Sequence, residues 1–172
     1  PDGLLFLTAN QLVSDANPLP SRAEVPLASG EAQQNLWKVG LTGVHDFDRR
    51  DCFAALQILQ QEDHLRLRVV KSIPLEDLPH AIALGLRTGF GNDYLRIGAV
   101  KLFADGALGP ATAAMLEPYE GQSGNTGILL MDNEEIYEHG QQASAHGISL
   151  AIHAIGDRAN HEVLQAYQQL RR

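Results

Sequence analysis

From residue 41 onward the sequence alternates short apolar runs with amphipathic stretches, and this alternation limits the fold more than any other feature. Residues 41–47 form an apolar, partly β-branched run, and 51–61 follow with Phe53, Leu56 and Leu59 at helical spacing. Residues 65–73 predict a second strand centred on Val69 and Val70, 76–86 a helix, and 95–103 a third strand. The stretch 132–146 predicts a helix with Asp132 at the cap, Glu135 three residues on and Gly147 just past its end. A fourth strand is predicted over 148–154, and Ala159, Val163, Tyr167 and Leu170 line one face of the last helix. Near-continuous apolar strands separated by helices imply a parallel sheet covered by helices. Four such units suit a doubly wound sheet or part of a barrel; a closed eight-stranded barrel takes about 250 residues. The chain has 172 residues. Periodicity does not choose between the two.

Residues 1–40 read as an irregular lead-in. A helix is expected over 4–13, after which Asn17-Pro18-Leu19-Pro20 and Pro26 keep the chain extended or turning. Ser29 is expected to cap a helix reaching about Val39, with Gly40 as its stop. The opening Pro1-Asp2-Gly3 has neither an initiator Met nor a basic n-region, so the chain is expected to be cut from something longer. A formal net charge of -8 argues against a nucleic-acid partner. The basic stretch of Arg66, Arg68 and Lys71 alternates with apolar residues and reads as one end of a strand. No apolar run approaches the ~20 residues that cross a bilayer, and no membrane partner is expected. Cys52 is the single cysteine and cannot form an intrachain disulfide. It reads as a small buried residue, and the expected location is the cytoplasm.

Parallel α/β folds carry their ligand-binding groups at the carboxyl ends of strands. The first strand ends in Val44-His45-Asp46, the third in Val100-Lys101-Leu102-Phe103-Ala104-Asp105-Gly106, and the fourth in Ile152-His153-Ala154-Ile155-Gly156-Asp157-Arg158. Lys101 lies in a run with no other charge. Desolvation lowers a lysine's pKa, and the neutral amine can act as a nucleophile or take up carbon dioxide as a carbamate. The simpler reading pairs Lys101 with a carboxylate such as Asp105. His153 has the chemistry of a metal ligand or general base, and equally of a core histidine bonded to backbone. His45 is the weaker candidate. His64, His80, His139, His146 and His161 fall in or beside helices and read as surface or helix-end residues. The glycine-rich stretch 105–112 could cradle a ligand with its N–H groups, and Tyr119 to Thr126 continues as a long loop. The sequence contains no Walker A or dinucleotide-binding glycine pattern.

Two blocks, Val100-Lys101-Leu102-Phe103-Ala104-Asp105-Gly106-Ala107-Leu108-Gly109 with Thr112 to Leu116 and Pro118-Tyr119, and Ala151-Ile152-His153-Ala154-Ile155-Gly156-Asp157-Arg158-Ala159, resemble the amidohydrolase superfamily. The branch is the one containing enzymes similar to N-substituted formamide deformylase. Gly43-Val44-His45-Asp46 and the opening tripeptide are similar to the same branch more weakly. The resemblance implies a partial (β/α)8 barrel of the TIM type, with residues 1–172 a single incomplete domain whose strands are the second to the fifth. It implies a divalent metal, zinc foremost, held by Lys101 as the fourth-strand lysine, which such sites can carry carboxylated, and by His153 as the fifth-strand histidine. His45, Asp105, Gly106, Asp157 and Arg158 would contact substrate or support the ligands. Such a metal lowers the pKa of bound water to about 7 and polarises a carbonyl, which implies hydrolysis of a carbon–nitrogen bond in a small-molecule amide or formamide.

The chain departs from the family pattern in several places. It has no His-x-His pair, a sixth-strand histidine and an eighth-strand aspartate are absent, and Pro110-Ala111 stands where relatives commonly have Ser-Arg. With two ligands of the three or more a catalytic site takes, the segment alone is expected to be inactive. Two rivals stay open: a barrel fragment without chemistry, and a Schiff-base lysine of the aldolase type. A partial barrel with open edges is also expected to associate with itself.

Overall fold

The structure, a computed structural model, describes residues 24–171. The elements run α1 (Glu24–Lys38), β1 (Gly43–Asp46), α2 (Arg50–Gln61), β2 (Arg68–Pro74), a 3-10 turn (Leu75–Asp77) leading into α3 (Leu78–Ala83), β3 (Leu95–Phe103), α4 (Asn133–Ala145), β4 (Leu150–His153) and α5 (Asp157–Leu170). The strands form one parallel sheet in the order β1-β2-β3-β4.

Sequential order in a parallel sheet, with right-handed crossovers, sends every connecting helix to the same side. The burial pattern agrees. Val69 and Ile73 of β2 and Leu95, Ile97, Val100 and Leu102 of β3 are buried in clusters with Leu56 and Leu59 of α2, Leu78 and Ala81 of α3 and Ala143 of α4. The opposite face carries His45, Val70, Arg96, Lys101, Phe103 and His153, none of them fully buried. A doubly wound sheet would have helices on both faces. Among the described residues helices cover one face only, which makes this a half-barrel of four parallel βα units.

Several boundaries differ from expectation for local reasons. The helix expected over 4–13 lies outside the described residues. The lead-in is less irregular than expected, because α1 begins at Glu24 and Ser29 therefore lies within it rather than capping it. Pro26 sits in the first turn, where backbone N–H groups have no partner inside the helix and a missing one is harmless. Gly40 does end this helix, at φ 82°, with Gly40 and Leu41 donating to Trp37 and Leu36 carbonyls. β2 starts at Arg68, yet Leu65 and Leu67 before it are buried. Gln33 of α1 makes that possible: its Oε1 accepts from the Arg66 and Leu67 N–H groups, and its Nε2 donates to the His64 carbonyl. The helix expected over 76–86 shrinks to a 3-10 turn and six residues, ended by Gly85 at φ 71°. α4 has the expected capping box, Asp132 accepting from the Glu134 and Glu135 N–H groups while the Glu135 carboxylate accepts from Asp132 N–H. Among the described residues no helix is long and apolar enough to cross a membrane.

Two substitutions separate packing from capping. Leu102 is 1% exposed beneath the helices, so Leu102→Ala is expected to cost about 2–5 kcal/mol. Asp132→Ala removes only the cap and is expected to cost about 1 kcal/mol. Urea denaturation of both variants checks the ranking; equal losses would mean that the sheet–helix core is looser than described.

Candidate functional site

The alternation of β3 would point Lys101 the wrong way. Leu95 and Ile97 face the helices, and unbroken alternation would send residues 99, 101 and 103 after them. A register shift prevents this: Lys71 pairs with Ile97, whereas Ile73 pairs with Val100, so β3 holds one extra residue between those points. Such a bulge reverses the phase of the strand beyond it. Val100 and Leu102 then face the helices, and Lys101 and Phe103 face the open side. Gly98 allows the close approach this needs, since a Cβ there would come 2.7 Å from Val70 Cγ1. On β4, His153 pairs with Phe103 and shares its face, while Ile152 pairs with Leu102 and packs among the helices. Lys101 and His153 therefore leave neighbouring parallel strands on the same uncovered face.

Lys101 Nζ donates to the Leu102 carbonyl at 3.1 Å and lies 4.2 Å from the Phe103 ring centroid and 5.4 Å from that of Phe47. Burial holds its pKa below the usual lysine value. It lines a cavity of about 310 Å³ with Phe47, Arg49, Pro74, Phe103 and Leu130. His153 does not line that cavity; the Phe103 ring, 5.4 Å from the imidazole, stands at its side. The two residues share a face, with the Phe103 ring beside both. His153 Nε2 lies 2.7 Å from the Gly106 carbonyl. A carbonyl only accepts, so in the neutral ring the proton belongs on Nε2 and Nδ1 keeps its lone pair.

Asp105 does not pair with Lys101. Its buried carboxylate accepts the N–H groups of Ala114 (2.9 Å), Ile155 (3.0 Å) and Gly156 (2.7 Å), and lies 3.8 Å from His153 Nε2. Asp157, at the start of α5, accepts from Leu116 N–H and Arg158 N–H, each at 2.8 Å, and the Arg158 side chain is exposed. His45 projects from the edge strand β1 in register with Val70, exposed on the same open face. Of the other histidines, His64, His80, His146 and His161 are exposed and His139 is half-buried. The glycine-rich stretch doubles back rather than standing open: Ile128 N–H donates to Thr112 and Leu130 N–H to Ala104. At Gly156 and Gly127 the loop passes so close that a Cβ would strike the Ala114 and Ala113 carbonyls.

The helix-facing side holds a charged cluster that the sequence reading passed over. Lys71, expected at a strand end, is 3% exposed, and its ammonium is bound by the Asp46 carboxylate and the Asp48 carbonyl. Its parity with Val69 and Ile73 was the available signal. Asp46, Asp48 and Cys52 bring donor atoms within 4.8 Å of one another. An ammonium already neutralises this group, and the half-buried Cys52 thiol is pushed up to about 12 by burial first and then by Asp46. The thiol thus stays protonated at neutral pH, and the cluster fits a structural ion pair better than an ion site.

Among known proteins, residues 1–172 match the Amidohydrolase family model. The Bacillus subtilis (strain 168) protein YtcJ is 32% identical over 175 residues, 98% of this chain and 32% of that protein. N-substituted formamide deformylase from Arthrobacter pascens is 36% identical over 148 residues, 78% of this chain and 26% of the enzyme. The crystal structure of an uncharacterized metal-dependent hydrolase from Pyrococcus furiosus superposes with a TM-score of 0.84 at 30% identity, over 95% of this chain and 34% of that one. The chain spans about a third of the length of these relatives or less.

The Lys71–Asp46 pair generates a stability prediction and a pH prediction. Lys71→Met leaves the Asp46 charge enclosed without its partner and is expected to destabilise by about 3–5 kcal/mol in urea denaturation. Cys52 has its folded pKa raised above the unfolded value, so its contribution to stability holds at neutral pH and fades as pH climbs from about 9 towards 12. Alkylation of native Cys52 by iodoacetamide at pH 8 is expected to be far slower than in urea. Equal rates would contradict the enclosed thiol.

Proposed function

Because the chain belongs to the amidohydrolase family, we propose that it forms the metal-holding part of a hydrolase barrel acting on carbon–nitrogen bonds in small amides or formamides. One observation carries this reading: Lys101 and His153 leave adjacent parallel strands on the same uncovered face, with burial disfavouring the ammonium form of one and Nδ1 left unprotonated in the other. The donor set fits a divalent metal, zinc by preference: a neutral lysine amine joins carbon dioxide with loss of a proton, giving an oxygen ligand, and imidazole adds a nitrogen ligand. When bound, the metal supplies an activated water and a polarised carbonyl.

The residues of this chain do the rest. Phe47 and Phe103 flank the Lys101 amine, while the Gly106 carbonyl fixes the His153 ring. The cavity beside Lys101, with Arg49 at its edge and apolar walls at Phe47 and Leu130, is the place for the substrate. His45, Asp157 and Arg158 stand around the same end of the sheet as substrate or supporting groups. We propose a cytoplasmic location, because Cys52, the single cysteine of residues 1–172, forms no disulfide within them. Residues 1–172 offer two ligands, so this segment alone would bind zinc weakly and turn nothing over.

Metal analysis of the full-length protein tests the reading. Wild type is expected to hold stoichiometric divalent metal and to hydrolyse amide or formamide substrates until a chelator removes it. Lys101→Ala and His153→Ala are each expected to lower metal affinity by at least about tenfold. Unchanged metal content in both variants, or a lysine adduct trapped by borohydride, would overturn it. Among the described residues β1 and β4 are the edges of the sheet, so light scattering is expected to show association of residues 1–172; a cooperative monomer would contradict that part.

A further inference from the structure

We infer that Asp105 is a positioning residue that fixes the ring of His153, presenting Nδ1 rather than Nε2 to the open face. This rests on the reading of His153 as a metal ligand.

The first observation is where the Asp105 carboxylate sits. Its side chain is fully enclosed, and removing a carboxylate from water is unfavourable unless hydrogen bonds replace the hydration. All three hydrogen bonds come from backbone N–H groups, and those groups belong to two separate segments. Ala114 lies in the loop after β3, whereas Ile155 and Gly156 lie in the turn after β4. The single carboxylate therefore ties both loops to the end of β3. It holds the turn that immediately follows His153.

The second observation is the peptide next to it. Gly106 directs its carbonyl at His153 Nε2, 2.7 Å away. That peptide directly follows Asp105, whose carboxylate is anchored by three N–H groups, and its far end is held by Thr112, whose Oγ1 accepts the Ala107 N–H at 3.0 Å. Only glycine fits here, because a Cβ at Gly106 would strike Thr112. The Asp105 Oδ1 lies 3.8 Å from the same Nε2. Both acceptors, the carbonyl and the negative charge, stand on one side of the ring. They hold the proton on Nε2 and leave Nδ1 as the nitrogen available to a metal.

The residue changes that test this act on the ring before any metal is present. In Asp105→Asn the amide oxygen can keep the Ala114 and Gly156 N–H groups, but its NH2 group faces the Ile155 N–H and the His153 Nε2–H, donor against donor. The full-length protein is prepared metal-free with 15N-labelled histidine, His153 being assigned by its loss in His153→Gln. Wild type is expected to show widely separated ring nitrogen shifts, with Nε2 protonated. In Asp105→Asn the two shifts are expected to move together as the tautomers mix, and zinc affinity in chelator competition is expected to fall by about 10–100-fold. Thr112→Val frees the far end of the same peptide without touching the carboxylate, and is expected to shift the ring in the same direction by less. It decides the matter if Asp105→Asn does not fold. A wild-type ring protonated at Nδ1, or unchanged ring shifts in the folded variants, overturns the inference while leaving His153 as a ligand. Zinc affinity unaltered in His153→Gln overturns the ligand reading, and the positioning role with it.

Discussion

Everything on the functional face depends on a constraint of chirality. Parallel strands laid down in sequence order, each joined by a right-handed crossover, place their helices on one side. That side takes the buried apolar surface: Val69, Ile73, Ile97, Val100 and Leu102 from the sheet meet Leu56, Leu78 and Ala143 from the helices. The other face carries His45, Lys101, Phe103 and His153. Loops that follow the strands at their carboxyl ends inherit the task of shaping it.

Within that frame one extra residue in β3 decides which side chains reach the open face. Without the bulge between Ile97 and Val100, Lys101 would enter the helix layer beside Lys71. That layer already holds one buried ammonium, bound by Asp46 and Asp48, and a second would lack a counter-charge. With the bulge, the two lysines are sorted to opposite faces. Lys71 becomes part of a closed ion pair, and Lys101 is left with aromatic rings and a carbonyl as neighbours. Two lysines on adjacent strands thus have different chemistry because one strand slips by one residue.

Much of the fold was legible in the sequence, because strand–helix alternation and capping are local. β3 and the Asp132 capping box could be read directly, since an apolar run and a cap of the form Asp-x-x-Glu specify themselves. Where the reading erred, distant contacts decided. Gln33 supplies the hydrogen bonds that let residues 65–67 remain irregular and buried, and no local signal near Leu65 announces it. Gly85 did announce the early end of α3. The site was legible as residue types at strand ends, but not as geometry. The bulge, the enclosed Asp105 carboxylate and the ring of Phe103 beside His153 all arise from contacts between segments far apart in the chain.

The central claim is that Lys101 and His153 serve one metal on the open face of the sheet. Anomalous diffraction at the zinc edge, on crystals of the full-length protein, tests it most directly. The account predicts a zinc peak about 2.0–2.1 Å from His153 Nδ1, with the end of the Lys101 side chain, extended by a carbamate, as a second ligand. A peak seated instead among Asp46, Asp48 and Cys52, or one bound through His153 Nε2, would contradict it.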